Sequence, residues 1–391
     1  MTTATAPQAP SPATSRGALD ARASWMLTVG AAAVLGVVLG VFGSVGVLLD
    51  PLAAEYGAAR SDLVLLFAAA LSVHSVGARG VGWAMDRWGP RPLLAIAAAG
   101  MGVGLLAPAV AGTTWVAVAG YGLGLGLASA CTWVATTATV SAAFDRRRAA
   151  ALGLLTAGPA VGGVVLAPTM AVLCEARGPR FTCAVLAVVG VGTCITGAAL
   201  IRHRRGDRHT ATNDGRPAPR ELLPFHAAGL LMSLVVFLPL VHLAGSAVDL
   251  GLPPAQAAAL LAIVSAVSAT TRLSAGWLAT PRTLPRLHLA GHALVAAAFV
   301  VWALAGPTTA LPLLIAVAVL FGAGYGTWLS LGPAMLAATT DPRRLGWALG
   351  TYSTAVGIGG VIGPASIFHR GAGCGPELQP CNFDHGLPVR G

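Results

Sequence analysis

One arginine stands where charge is expensive. Arg272 lies inside the apolar stretch 255–278, in the run Ala269-Thr270-Thr271-Arg272-Leu273-Ser274. Intramembrane charges usually face a pathway or a bound partner rather than hydrocarbon. A guanidinium keeps its charge at any physiological pH and presents a planar fork of donors that matches a carboxylate. The chemistry offered is reversible binding of an anion. The competing reading is snorkelling towards the end of the stretch, about two helical turns away. Four titratable groups lie in or beside similar stretches: His74, His242, Asp50 and Asp249. Histidine changes charge near neutral pH, so His242 and His74 are either proton carriers or satisfied polar residues. Asp50 and Asp249 sit at stretch ends, where they either cap helices or gate an entrance.

A second constellation lies between two stretches: Gly82-Trp83-Ala84-Met85-Asp86-Arg87-Trp88-Gly89-Pro90-Arg91. Asp86 is placed to cap the following helix and to pair with an arginine of a neighbouring helix. Arg79, seven residues earlier, is one candidate partner. Gly82 and Gly89 permit close approach and a tight turn. Made and broken as helices move, such an ion pair is a conformational latch. The plainer alternative is a basic loop with a helix cap.

The elements that must position these residues follow from composition. The chain has 391 residues, 55% hydrophobic and 10% charged, with mean hydropathy +0.75. Soluble domains carry about 25% charged residues, so a water-exposed surface of this size is excluded. A membrane span needs about 20 mostly apolar residues. Such runs occur at 25–49, 61–83, 92–111, 114–140, 148–173, 181–201, 224–248, 255–278, 287–306, 309–336 and 345–368. The expected fold is all-α, a polytopic membrane helical bundle.

Every one of the 24 basic residues is Arg. With the N-terminus in the cytoplasm, seventeen lie in cytoplasmic loops, including Arg87, Arg91, Arg146 to Arg148, Arg282, Arg286, Arg343 and Arg344. Only Arg60, Arg177 and Arg180 lie in the opposite loops. That bias predicts a cytoplasmic N-terminus in the plasma membrane and argues against nucleic acid as the reason for the net charge of +10. Residues 1–24 read as a disordered lead. Residues 25–201 form one half of six spans, 202–223 a polar linker, 224–368 a second half of five spans, and 369–391 a polar tail.

The halves repeat. Arg146-Arg147, Ala151-Leu152-Gly153 and Gly162-Gly163-Val164 recur at an offset of 197 as Arg343-Arg344, Ala348-Leu349-Gly350 and Gly359-Gly360-Val361. Gly82-Trp83 recurs as Gly276-Trp277, and Gly122, Gly124 and Gly126 recur as Gly322, Gly324 and Gly326. The counterpart of the sixth span, due near residue 378, is polar sequence instead. The twelfth helix is therefore expected to be missing, through truncation or frameshift or as a genuine eleven-span design. Cys131, Cys174, Cys183 and Cys194 read as packing residues. Cys374 and Cys381, in the tail, could pair outside the cell. No cysteine shows metal-ligand spacing. Gly122 to Gly126 lies in an apolar span and follows no strand, so a dinucleotide site fails its context test. Without Lys, the ATP-binding motif of pumps is absent too, and neither an enzyme nor a cofactor is expected.

The segment from Gly82 to Arg91 resembles the loop signature of the major facilitator superfamily, and the resemblance runs from residue 25 to about 368. Two regions resemble bacterial members of the monocarboxylate transporter and oxalate–formate antiporter-like families. One is Phe144 to Gly153 followed by Ala157 to Gly163. The other is Pro239-Leu240-Val241-His242, then Asp249-Leu250-Gly251-Leu252, then Arg272 ahead of Gly276. The resemblance implies two pseudo-symmetric six-helix halves and secondary transport of a small organic anion, a monocarboxylate, with protons. It implies that Arg272 binds the substrate carboxylate, with Trp133, Tyr325 and Trp328 shaping the cavity. His242, His74, Asp50 and Asp249 become proton-coupling candidates. The family's Asp one turn before the arginine is Ser268 here, and its first-span Lys has no counterpart. A drug or metabolite exporter of the same fold and an inactive truncated transporter remain alternatives.

Overall fold

The computed structural model describes residues 22–144, 146–201, 222–341 and 344–371. Residues 202–221 of the expected linker, the cysteines Cys374 and Cys381 and most of the expected tail lie outside them. The described residues form twelve α-helices and no strand: α1 (Arg22–Gly43), α2 (Gly46–Tyr56), α3 (Arg60–Trp88), α4 (Pro90–Val110), α5 (Thr114–Ala143), α6 (Arg148–Arg177), α7 (Pro179–Leu200), α8 (Leu223–Asp249), α9 (Pro254–Leu278), α10 (Leu284–Ala303), α11 (Ala310–Thr339) and α12 (Leu345–Gly371). Eleven are long and apolar enough to span a membrane. Helices suit that setting because each satisfies its own backbone polar groups.

Two boundaries differ from the hydropathy reading. The first span breaks at Ser44 and Val45, between Gly43 and Gly46, and resumes as α2. The Ser44 amide is shared between the carbonyls of Gly40 and Val41, at 3.0 and 3.2 Å. Two glycines in four residues weaken the helix enough for this break. The second span continues past residue 83 to Trp88, so only Gly89 separates α3 from α4, at φ 79°. Apolar content marks where a chain enters hydrocarbon, not where its helix stops.

The repeated glycines are crossing points. Gly122 and Gly126 face α3, at Ala69 and at Ala70 with Val73, while Gly124 faces Gly100 and Gly104 of α4. In the second half Gly322 and Gly326 face α9, at Val264 and Ser268, while Gly324 faces Gly291 and Val295 of α10. Helices α5 and α11 are thus each wedged between two neighbours, which explains glycine at alternate positions: successive members fall on opposite faces. Gly36 packs on Gly158 so closely that an added Cβ would lie 2.8 Å from the Gly158 carbonyl oxygen. Gly162 in turn packs on the Gly36 carbonyl. Gly162→Val forces these backbones apart. It is expected to destabilise the purified protein by about 1–3 kcal/mol, and an unaltered thermal midpoint in detergent would contradict the close crossing.

Candidate functional site

Both inter-half crossings lie at the end of the bundle that carries the α3–α4 junction, called here the basic end. At the first, α3 meets α12. Gly82 abuts the Gly346 carbonyl, and Gly350 abuts the Ala78 carbonyl. These absent side chains let Asp86 reach the start of α12. Its Oδ1 accepts the Gly346 amide and its Oδ2 the Trp347 amide, both at 2.8 Å. A carboxylate here meets two otherwise orphaned donors and the positive end of the helix dipole. Arg344, just ahead of that helix, adds a Coulombic attraction.

The latch residues are therefore together, but the bond differs from the expected one. Asp86 caps α12 of the opposite half, not α4, whose N-cap is Gly89 with no side-chain hydrogen bond. The reason is that α3 runs on through Asp86, which aims its side chain outward from a helical turn. Arg79 is exposed. Arg87 lies over the Trp83 ring at 5.6 Å, and Arg91 Nε donates to the Ile201 carbonyl at 2.7 Å, tying down the end of α7.

At the second crossing, α6 meets α9. Gly153 abuts the Arg272 carbonyl, and Gly276 packs on Ala149 and Ala150. This repeats the first crossing with the halves exchanged. Arg272 does not snorkel: it is only 6% exposed. Its guanidinium donates through Nη1 to the Thr156 carbonyl of α6 at 2.8 Å and lies over the Tyr325 ring of α11 at 5.4 Å. Nε has no hydrogen-bond partner among the described residues, nor has the buried Ser268 hydroxyl one turn earlier. The described carboxylates are Asp50, Glu55, Asp62, Asp86, Glu175, Asp249 and Asp341, all at or near helix ends. Tyr325 also meets the guanidinium through a side-chain hydrogen bond, so a carbonyl, an aromatic face and a phenol surround a buried cation, with no carboxylate among the described residues offsetting its charge.

Tyr325 is thus brought onto Arg272, and Trp328 follows it at 6.3 Å between ring centroids. Trp133 packs against the apolar core of the first half and against the cluster that joins the two halves. His74 is half-buried, with Nδ1 2.8 Å from the Ser129 hydroxyl of α5. That hydroxyl donates to the Gly126 carbonyl at 2.8 Å. Its one proton is so committed, which makes His74 Nδ1 the donor and leaves the lone pair of the neutral ring on Nε2. His242 is half-buried within α8. Asp50 and Asp249 are exposed. Asp249 ends α8 where α9 begins, so Arg272 lies about 27 Å further along α9 at 1.5 Å per residue. Asp249 is therefore not part of the Arg272 site. Thr156 and Ser129 escaped the sequence reading because one contributes only a backbone carbonyl and the other is one hydroxyl among many.

The sequence profile of the Major Facilitator Superfamily matches residues 31–364. Mouse monocarboxylate transporter 11 is 29% identical over 372 residues, covering 89% of this chain and 81% of that protein. Among solved structures, the human organic anion transporter MFSD10 superposes with a TM-score of 0.65 at 16% identity, covering 89% of this chain and 93% of the other. The transporter FucP in the outward conformation also gives 0.65 at 16% identity, with coverage of 90% and 93%. At such identities the structures speak for the fold alone.

Proposed function

The chain belongs to the Major Facilitator Superfamily and is a multi-pass membrane transporter, and we propose that its cargo is a small organic anion, a monocarboxylate, carried with a proton. The observation that carries this reading is Arg272, buried between the halves with an Nε that has no hydrogen-bond partner and no carboxylate beside it among the described residues. Taking a charge out of water costs several kcal/mol unless an opposite charge and hydrogen bonds compensate. A substrate carboxylate supplies both. The similarity to a monocarboxylate transporter points to the same cargo.

The arginine bias supports a cytoplasmic basic end in the plasma membrane. The contacts described at that end then correspond to a state closed to the cytoplasm. Carboxylate binding at Arg272 neutralises the buried cation, and rocking of the halves about the site exposes it to the other side. His74 is the proton site best supported by its surroundings, because Ser129 orients the ring and leaves Nε2 available. His242 is the alternative. Anion and proton together cross without net charge.

The test is uptake of a panel of labelled monocarboxylates into proteoliposomes under an inward proton gradient. Concentrative uptake that collapses with the gradient is expected; absence of uptake for every member of the panel would move the assignment to an exporter. His74→Gln is expected to abolish gradient-driven accumulation while leaving exchange of labelled for unlabelled substrate. Accumulation equal to that of the unmodified chain would transfer the proton to His242.

A further inference from the structure

The two crossings are related by the repeat, yet they are held shut by different chemistry. Asp86 fastens α3 to the start of α12. The repeat maps Asp86 to Thr280, which has no carboxylate. Thr280 instead turns inward on its own loop, its hydroxyl 2.9 Å from that of Thr283. The crossing of α6 and α9 therefore lacks the polar latch at this point.

Aromatic rings occupy the corresponding place. Trp277, the repeat partner of Trp83, stacks on Trp25 of α1 with centroids 5.5 Å apart and planes 3° from parallel. Arg147, just ahead of α6, lies over the same ring at 5.6 Å. Trp25 also meets Phe144, at the end of α5, edge to face at 4.9 Å. Trp25, Phe144 and Arg147 all belong to the first half, and Trp277 to the second. Trp83, by contrast, takes its cation, Arg87, and its ring neighbour, Trp88, from its own half.

We propose that Trp25, Trp277 and Arg147 form a second inner latch, an aromatic–cation clasp that closes the basic end where the repeat has lost the carboxylate. Three observations make it a latch rather than core packing. It joins surfaces that must part for the basic end to open. Trp277 is 57% exposed, unlike an interior tryptophan. Its stacked geometry has no intra-half counterpart around Trp83. Stacking and cation–π attraction need no titratable acid, so this latch keeps its strength at pH values that would protonate a carboxylate. Opening of the basic end then requires release of Trp277 from Trp25 and Arg147, in addition to release of Asp86 from α12 and of Arg148 from the Ala337 carbonyl of α11.

The inference rests on the two-half fold and not on the cargo, so its test needs no substrate. Spin labels are placed by Ile96→Cys and Leu289→Cys, two exposed positions on outer helices of opposite halves, in a full-length chain with its native cysteines replaced. Distance distributions are then measured in lipid nanodiscs. Trp277→Ala is expected to shift the ratio of open to closed basic end by about tenfold, and Arg147→Gln in the same direction by less. Trp277→Phe, which keeps a ring, should remain close to the parent. Arg147 is exposed, so its replacement does not threaten folding. An unmoved distribution in Trp277→Ala or in Arg147→Gln would overturn the clasp, as would Trp277→Phe moving as far as Trp277→Ala.

Discussion

Arg272→Met is expected to abolish monocarboxylate uptake while leaving the protein at least as heat-stable as the parent. The first half of that result follows from a lost fork of donors. Removing one partner of a buried, hydrogen-bonded charge pair costs about 2–5 kcal/mol, which weakens binding by a factor of about 30 to several thousand. The second half follows from the burial of the charge. Arg272 is buried against the Thr156 carbonyl and Tyr325, with no described carboxylate to offset its charge, and an apolar residue of similar volume removes that desolvation penalty. A purely structural arginine would behave oppositely, losing stability before activity. Equilibrium binding of labelled substrate and a thermal melt, made on one preparation, separate the two cases. Retained uptake in Arg272→Met would sink the anion site. Arg272→Lys keeps the charge without the fork and should fall between parent and Met.

Asp86→Ala is expected to open the basic end. The carboxylate accepts two backbone amides from the opposite half at 2.8 Å, and hydrogen bonds to a charged group contribute about 1.5–3 kcal/mol each. Losing about 3 kcal/mol from the closed state alone moves the open-to-closed ratio by about a hundredfold. Asp86→Asn keeps one acceptor oxygen and should give a smaller shift. The same labelled positions, on α4 and α10, report the change. Transport should slow in both variants, because a half that no longer closes cannot return the empty site outward. A closed distribution in Asp86→Ala would reduce the motif to a structural turn.

The helical membrane fold was readable from local information. A span announces itself through about 20 consecutive apolar residues because hydrocarbon makes each polar group costly. The eleven stretches accordingly reappear as eleven spanning helices. The repeat was readable too, since Gly122, Gly124 and Gly126 and their partners at 322, 324 and 326 sit at close helix crossings, where an added Cβ would press on the neighbouring helix. Helix ends were less legible. Trp83 to Trp88 is amphipathic enough to read as loop, but hydrogen bonding carries α3 through it.

What Arg272 is, a cation in an apolar run, the sequence alone determined. Whether it snorkels or turns inward depended on α6 lying close enough, through Gly153, for the Thr156 carbonyl to reach the guanidinium. Asp86 was legible as a capping residue, but which helix it caps was decided by an approach between residues 260 positions apart. His74 gained its orienting partner from Ser129, 55 positions away. Residue type declares the chemistry a side chain can perform. The partner it performs it with is set by which backbones pack together, and that depends on distant glycines whose contribution is the absence of a side chain.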